Sequence, residues 1–163
     1  MKENKKGYSL IELLVSITII LVLAGIGVTS FSNLSKTKKI ITVKNELSSL
    51  IKLSRNLAIT RQLPDGSLGL DYIQVALSGR NLTVKGLSGG VSDVFFNKSI
   101  DGDMNGVGVT VTSNLATFGF ERGTGRLVNG AGAFINGQLI ITLKYGGVTD
   151  TITINDLGII NEE

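Results

Sequence analysis

The chain contains no histidine and no cysteine. Those two absences exclude histidine-dependent triads, cysteine nucleophiles, zinc fingers, thiolate clusters and disulfides. Any metal would need oxygen ligands. Missing cysteine leaves the compartment open, because an exported domain with an adequate core folds without disulfides. Proline occurs once, at Pro64, so nothing of that kind interrupts a helix before it. Charge is sparse as well: 18% of residues are charged and 42% are hydrophobic, enough apolar surface to offset the entropy of ordering. A chain of 163 residues holds one compact domain, or a smaller one with an appendage, and is too short for a multidomain enzyme.

The net charge of +3 and pI near 9.2 describe no single surface. Residues 1–7 carry +2, residues 8–35 only the −1 of Glu12, residues 36–61 +6, and residues 62–163 −4. Each segment is read separately.

Residues 13–35 are 23 consecutive uncharged residues rich in Leu, Ile and Val. At about 1.5 Å per residue, a helix of that length crosses a hydrocarbon core of roughly 30 Å, so the pattern predicts a transmembrane segment. Lysines flank both ends, Lys2, Lys5 and Lys6 on one side and Lys36, Lys38 and Lys39 on the other, which nearly balances the positive-inside count. Long soluble domains translocate largely regardless of charge, which places the C-terminal part outside the cytoplasm. A cleavable secretory signal would have a shorter apolar core and an A-x-A-like site, which Ala24-Gly25-Ile26 does not supply. A lipoprotein signal requires cysteine.

Glu12 is the only charge between Gly7 and Lys36. An ionisable group beside a membrane helix is costly and marks function by default, the alternative being a snorkelling interfacial side chain. The run Lys5-Lys6-Gly7-Tyr8-Ser9-Leu10-Ile11-Glu12-Leu13-Leu14-Val15 resembles the class III leader junction of type IV prepilins. A basic leader, its terminal glycine, a glutamate four residues past the following aromatic and an unbroken apolar helix occur together. The resemblance implies cleavage between Gly7 and Tyr8 by a prepilin peptidase and N-methylation of Tyr8, which keeps the positive charge of the new amine. Tyr8 and Glu12 would share a helix face, so Glu12 could neutralise its own chain's amine or a neighbour's. The family uses the second arrangement to draw subunits into a filament. Many members carry a proline in the second half of the apolar helix, where this chain has only Gly25 and Gly27. Those glycines could supply flexibility or close packing between helices.

Apolar residues recur at Ile40, Val43, Leu47, Leu50, Ile51, Leu57 and Ala58, one face of a helix that continues from the apolar segment to residue 61. Lys38, Lys39, Lys44, Glu46, Lys52 and Arg55 occupy the other positions, read as a solvated face in preference to a nucleic-acid or acidic-lipid patch. From residue 8 to residue 61 such a helix would be about 80 Å long. Gln62-Leu63-Pro64-Asp65-Gly66 should end it.

Eighteen of the 21 glycines fall in residues 62–163, between short β-branched runs, the signature of an antiparallel β domain. One hairpin is expected over residues 139–154 around Gly146-Gly147. A second joins residues 72–77 to residues 82–84, and further strands cover residues 107–112 and 117–120. The glycine-rich stretch 86–90, with Ser88, reads as an exposed loop.

The segment Phe118-Gly119-Phe120-Glu121-Arg122-Gly123, the later hairpin and the turn at Gly158 resemble the closing pattern of the H-type minor pseudopilins and related minor pilins, the GspH/FimT family. This implies a helix packed on antiparallel sheet and a low-abundance role in starting or capping a filament. Some transformation-related members bind DNA through arginines beside the last glycine turn. Here Gly158-Ile159-Ile160-Asn161-Glu162-Glu163 lacks arginine and ends in two acids, which argues against DNA as a partner.

Asp101, Asp103 and Asn105, in Asp101-Gly102-Asp103-Met104-Asn105-Gly106, form the first half of a calcium loop. Thr112 stands where an EF-hand places its bidentate glutamate, so an Asp/Asn/Gly turn is the preferred reading, with calcium as the alternative.

The expectation is therefore an α+β, pilin-like fold: a leader at 1–7, a transmembrane and filament-core helix at 8–35, its amphipathic continuation at 36–61, and an antiparallel β domain at 62–163. The expected function is structural and non-enzymatic, with no obligate cofactor, since no Ser/Lys, carboxylate-pair or metal constellation is evident. The resemblance implies as partners the prepilin peptidase/methyltransferase, other pilin or pseudopilin subunits, an inner-membrane assembly platform and membrane lipid. The machine would be a type II secretion pseudopilus, a type IV pilus or a competence filament. The rival reading is a membrane-anchored β-domain binding module or adhesin that never polymerises.

Overall fold

The computed structural model describes residues 9–60, 69, 71–79, 81–100 and 108–161, with the side chains of residues 26–30 excepted. A single α-helix, α1 (Leu10–Thr60), is followed by strands β1 (Tyr72–Ser78), β2 (Asn81–Ser88), β3 (Val91–Ser99), β4 (Thr110–Ser113) and β5 (Thr117–Glu121). Four more complete the described residues: β6 (Leu127–Asn129), β7 (Leu139–Tyr145), β8 (Val148–Ile154) and β9 (Ile160–Asn161). The strands make two antiparallel sheets, ordered β3-β2-β1-β5-β6 and β4-β7-β8-β9. The fold class is α+β, a helix packed on antiparallel sheets, as expected. The expected helix terminator at residues 62–66 lies outside the described residues.

The chain divides into two compact units, Met1–Thr37 and Lys38–Glu163. In the first, every described side chain of α1 from Leu10 to Gly25 is exposed, including Leu10, Ile11, Leu13, Leu14 and Ile17. Exposure on successive residues covers all sides of a 3.6-residue helix, so this surface has no core of its own to bury against. Among the described residues no helix is long and apolar enough to cross a membrane. The expected transmembrane stretch includes residues 26–30, whose side chains lie outside the described set.

In the second unit, Ile40, Val43, Leu47, Ile51 and Ala58 are buried along one stripe of α1. They meet Ile73 and Val75 of β1, Leu82 and Val84 of β2, Phe118 and Phe120 of β5, Leu139, Ile141 and Leu143 of β7, and Ile152 and Ile154 of β8 in one core. Alternation supplies the strand residues: β7 buries every second side chain, as a strand with one wet face must. Gly146 and Gly147 turn the β7–β8 hairpin at φ 56° and 88°, the paired positive values of a tight two-residue turn.

Phe118-Gly119-Phe120 is buried throughout. The two rings sit edge to face, 6.1 Å apart, in the core. A side chain at Gly119 would collide with the Ile73 carbonyl and crowd the ring of Tyr72, whose hydroxyl donates to the Gly130 carbonyl at 3.0 Å.

Three differences from the sequence reading have physical causes. Residues 86–90 are not a loop: Gly86 pairs with Ile73 and Asp93 inside the sheet, Ser88 is half-buried, and only Gly89-Gly90 turns. β3 lacks hydrophobic alternation because it is an edge strand, exposed over Val91-Ser92-Asp93-Val94. The strand expected over 107–112 is observed as Thr110–Ser113, paired to β7, with residue 107 outside the described set.

Candidate functional site

The first candidate site is the start of α1. Ser9 stands at the N-cap position, with Glu12 in the first turn. The Ser9 backbone N–H donates to Glu12 Oε2 at 3.5 Å, and the Glu12 N–H donates to Ser9 Oγ at 3.4 Å, long but reciprocal contacts that form a capping box. Ser-x-x-Glu ahead of an apolar run is the sequence signal of that box, which the search for charge partners overlooked. Glu12 is exposed, and its carboxylate sits at the positive end of the helix macrodipole. Gly7 and Tyr8, the expected cleavage and methylation positions, lie outside the described residues. So do Asp101, Asp103 and Asn105, whose expected calcium loop therefore has no described geometry. Thr112 is in β4, its hydroxyl 3.5 Å from the Thr142 carbonyl oxygen. Among the described residues no cluster of three acids could hold a metal.

The second candidate site is at the other end of α1. The helix leaves its last carbonyls without intrahelical partners. The turn between β5 and β6 answers one, Gly123 N–H donating to the Ala58 carbonyl at 2.9 Å. Arg55 extends the junction, donating through Nε to the Gly125 carbonyl at 3.2 Å and through Nη2 to the Leu157 carbonyl at 3.3 Å. Arg55 thereby ties the helix to both glycine turns. These two turns touch: a Cβ on Gly158 (φ 73°) would overlap the Gly125 carbonyl oxygen. Leu127 N–H donates across to the Asp156 carbonyl at 3.0 Å, holding β6 beside the last turn. A cleft of about 350 Å³ opens here, lined by Lys52, Arg55, Asn56, Gly158, Ile159 and Ile160.

Two residues of the expected solvated helix face are thus structural. Arg55 is half-buried against the two turns, and Lys44 is only 7% exposed, its ammonium 2.9 Å from Asp150 on β8. Helical periodicity cannot reveal such partners, because each is about a hundred residues away.

Residues 2–28 match the family described as the prokaryotic N-terminal methylation motif. No curated protein and no solved structure matches the chain. The motif supports a type IV pilin-like protein, and it implies processing by a prepilin peptidase and assembly with other pilins.

Proposed function

We propose that the protein is a structural subunit of a type IV pilus-like filament, made as a precursor and cut between Gly7 and Tyr8. Tyr8 is then methylated, and Glu12 neutralises the amine of a neighbouring subunit. The observation that carries this reading is a coincidence of two features. The methylation motif at residues 2–28 overlies a helix whose described apolar side chains are exposed all round, with Glu12 as its one charge. Before assembly, residues 8–35 hold the subunit in the cytoplasmic membrane with its β domain outside. Composition supports this, because 23 consecutive uncharged residues suit lipid and, later, the packed helices of a filament core.

Within that class, we read the chain as a minor, H-type subunit of a secretion, pilus or competence filament. What favours this is the Phe118-Gly119-Phe120 strand and the Gly158 turn, which lie together against the end of the helix in the β domain. Lack of histidine and cysteine supports a structural rather than a catalytic role.

The test separates charge from capping. Glu12→Gln keeps an acceptor for the Ser9 N–H and removes the charge, while Ser9→Ala removes the hydroxyl cap and keeps the charge. Glu12→Gln should cut filament yield by about tenfold or more, as expected when a buried cation loses its partner. Ser9→Ala should assemble almost normally, and mass spectrometry should find a methylated Tyr8 terminus. A precursor left uncut at Gly7, or full assembly of Glu12→Gln, would refute the reading.

A further inference from the structure

Two features of the β domain remain without a role. One is the cleft beside Gly158, which carries the cations of Lys52 and Arg55 and the amide of Asn56. Exposed Leu53 and Ile159 add apolar surface at the same place. Arg55 uses two of its five N–H donors on backbone carbonyls, so it retains capacity for an anion.

The other feature is the tip of the β2–β3 hairpin. Val91, Ser92, Asp93 and Val94 are all exposed. Successive side chains on a strand point to opposite faces, so the tip stands clear of the core on both sides. Val91 is 66% and Val94 52% exposed, unusual for valines on a strand. Asp93 between them makes no hydrogen bond or ion pair among the described residues. An apolar pair flanking a carboxylate has the composition that an apolar-rimmed cationic cleft accepts.

Their placement decides what kind of contact they make. The cleft adjoins β6 through the Arg55 and Leu127 hydrogen bonds, and β6 is one edge of the five-stranded sheet. β3 is the opposite edge, four strand spacings away, or about 19 Å. The two patches are therefore too far apart to meet within one chain. We infer that the Val91-Asp93-Val94 tip of one copy docks in the Lys52–Arg55 cleft of a second copy, with the Asp93 carboxylate accepting hydrogen bonds from the cations. Different patches on opposite edges make a head-to-tail contact, which leaves one patch free at each end and so propagates. Simple strand addition is disfavoured, because the β2–β3 ladder slips between Val84 and Lys85, leaving Phe95 as a bulge that blunts the edge.

This contact rests on the filament reading and deepens it by naming the neighbour. Even a low-abundance subunit would then enter a filament as a run of contiguous copies.

The chain's lack of cysteine makes the test direct. Asp93→Cys and Asn56→Cys, combined in the full-length protein in assembling cells, should oxidise to a ladder of covalent multimers, while either substitution alone stops at dimers. Both positions are exposed, so both variants should fold as the parent does. Asp93→Lys should lower filament yield about tenfold by placing like charges together, and adding Lys52→Glu should restore it. Filaments that form without the ladder and tolerate Asp93→Lys would overturn the contact alone. Absence of any filament would overturn the reading beneath it, and the contact with it.

Discussion

Lys44 Nζ lies 2.9 Å from Asp150 Oδ1, joining the helix to β8 across 106 residues of chain. The lysine side chain is 9% exposed and the aspartate 25%. Asp150 Oδ1 also accepts the Thr151 N–H at 2.7 Å, which holds the carboxylate in place. An ammonium taken this far from water needs such a partner, because an unpaired buried charge costs more than the pair contributes.

Breaking the pair from one side should therefore be worse than removing both charges. Asp150→Ala is expected to destabilise the protein by about 2 kcal/mol, a fully buried pair's cost discounted for partial exposure. Lys44→Met combined with Asp150→Ala should cost less than the sum of the single changes. Urea unfolding of all three variants measures the coupling, and strict additivity would contradict it.

Gly158 should be the least replaceable glycine of the domain. Its φ of 73° disfavours any side chain, and a Cβ would strike the Gly125 carbonyl oxygen and approach Arg55 Nε to 3.0 Å. Gly147 shares the positive φ, 88°, but has open space around it. Gly147→Ala is thus expected to cost about 1 kcal/mol in backbone strain, and Gly158→Ala about 3 kcal/mol or more from strain and overlap together. Equal melting temperatures for the two variants would show that the turns do not touch in solution.

The two sides of the helix should respond differently to truncation. Leu47 is fully buried and Ile41 is 46% exposed. Leu47→Ala should destabilise by about 3 kcal/mol through lost burial and the cavity left behind, whereas Ile41→Ala should stay within about 0.5 kcal/mol. Thermal unfolding in detergent measures both. A large loss at Ile41 would mean that this face is covered.

Much of this architecture follows from local patterns. The 3–4 spacing from Ile40 to Ala58 marks the buried stripe, and Gly146-Gly147 between alternating β-branched runs marks the hairpin, because both depend on periods of a few residues. The short strands β6 and β9, of three and two residues, carry too little pattern to be legible. β3 was hidden for a related reason: an edge strand exposed on both faces has no alternation to display. The division into two sheets depends on which strands pair, and local pattern does not encode that.

The sequence by itself determined the processing motif, the lone Glu12 in its apolar helix and the α+β character, since each rests on residues adjacent in the chain or one helical turn apart. The tertiary structure alone decided that Lys44 and Arg55 are anchors rather than solvated charges. Their partners, Asp150 and the Gly125 and Leu157 carbonyls, come within hydrogen-bond reach only after the β strands close over the helix. The cleft at Gly158 and the distant tip at Asp93 likewise exist only once that core has formed, because burial and surface shape are properties of the packed chain.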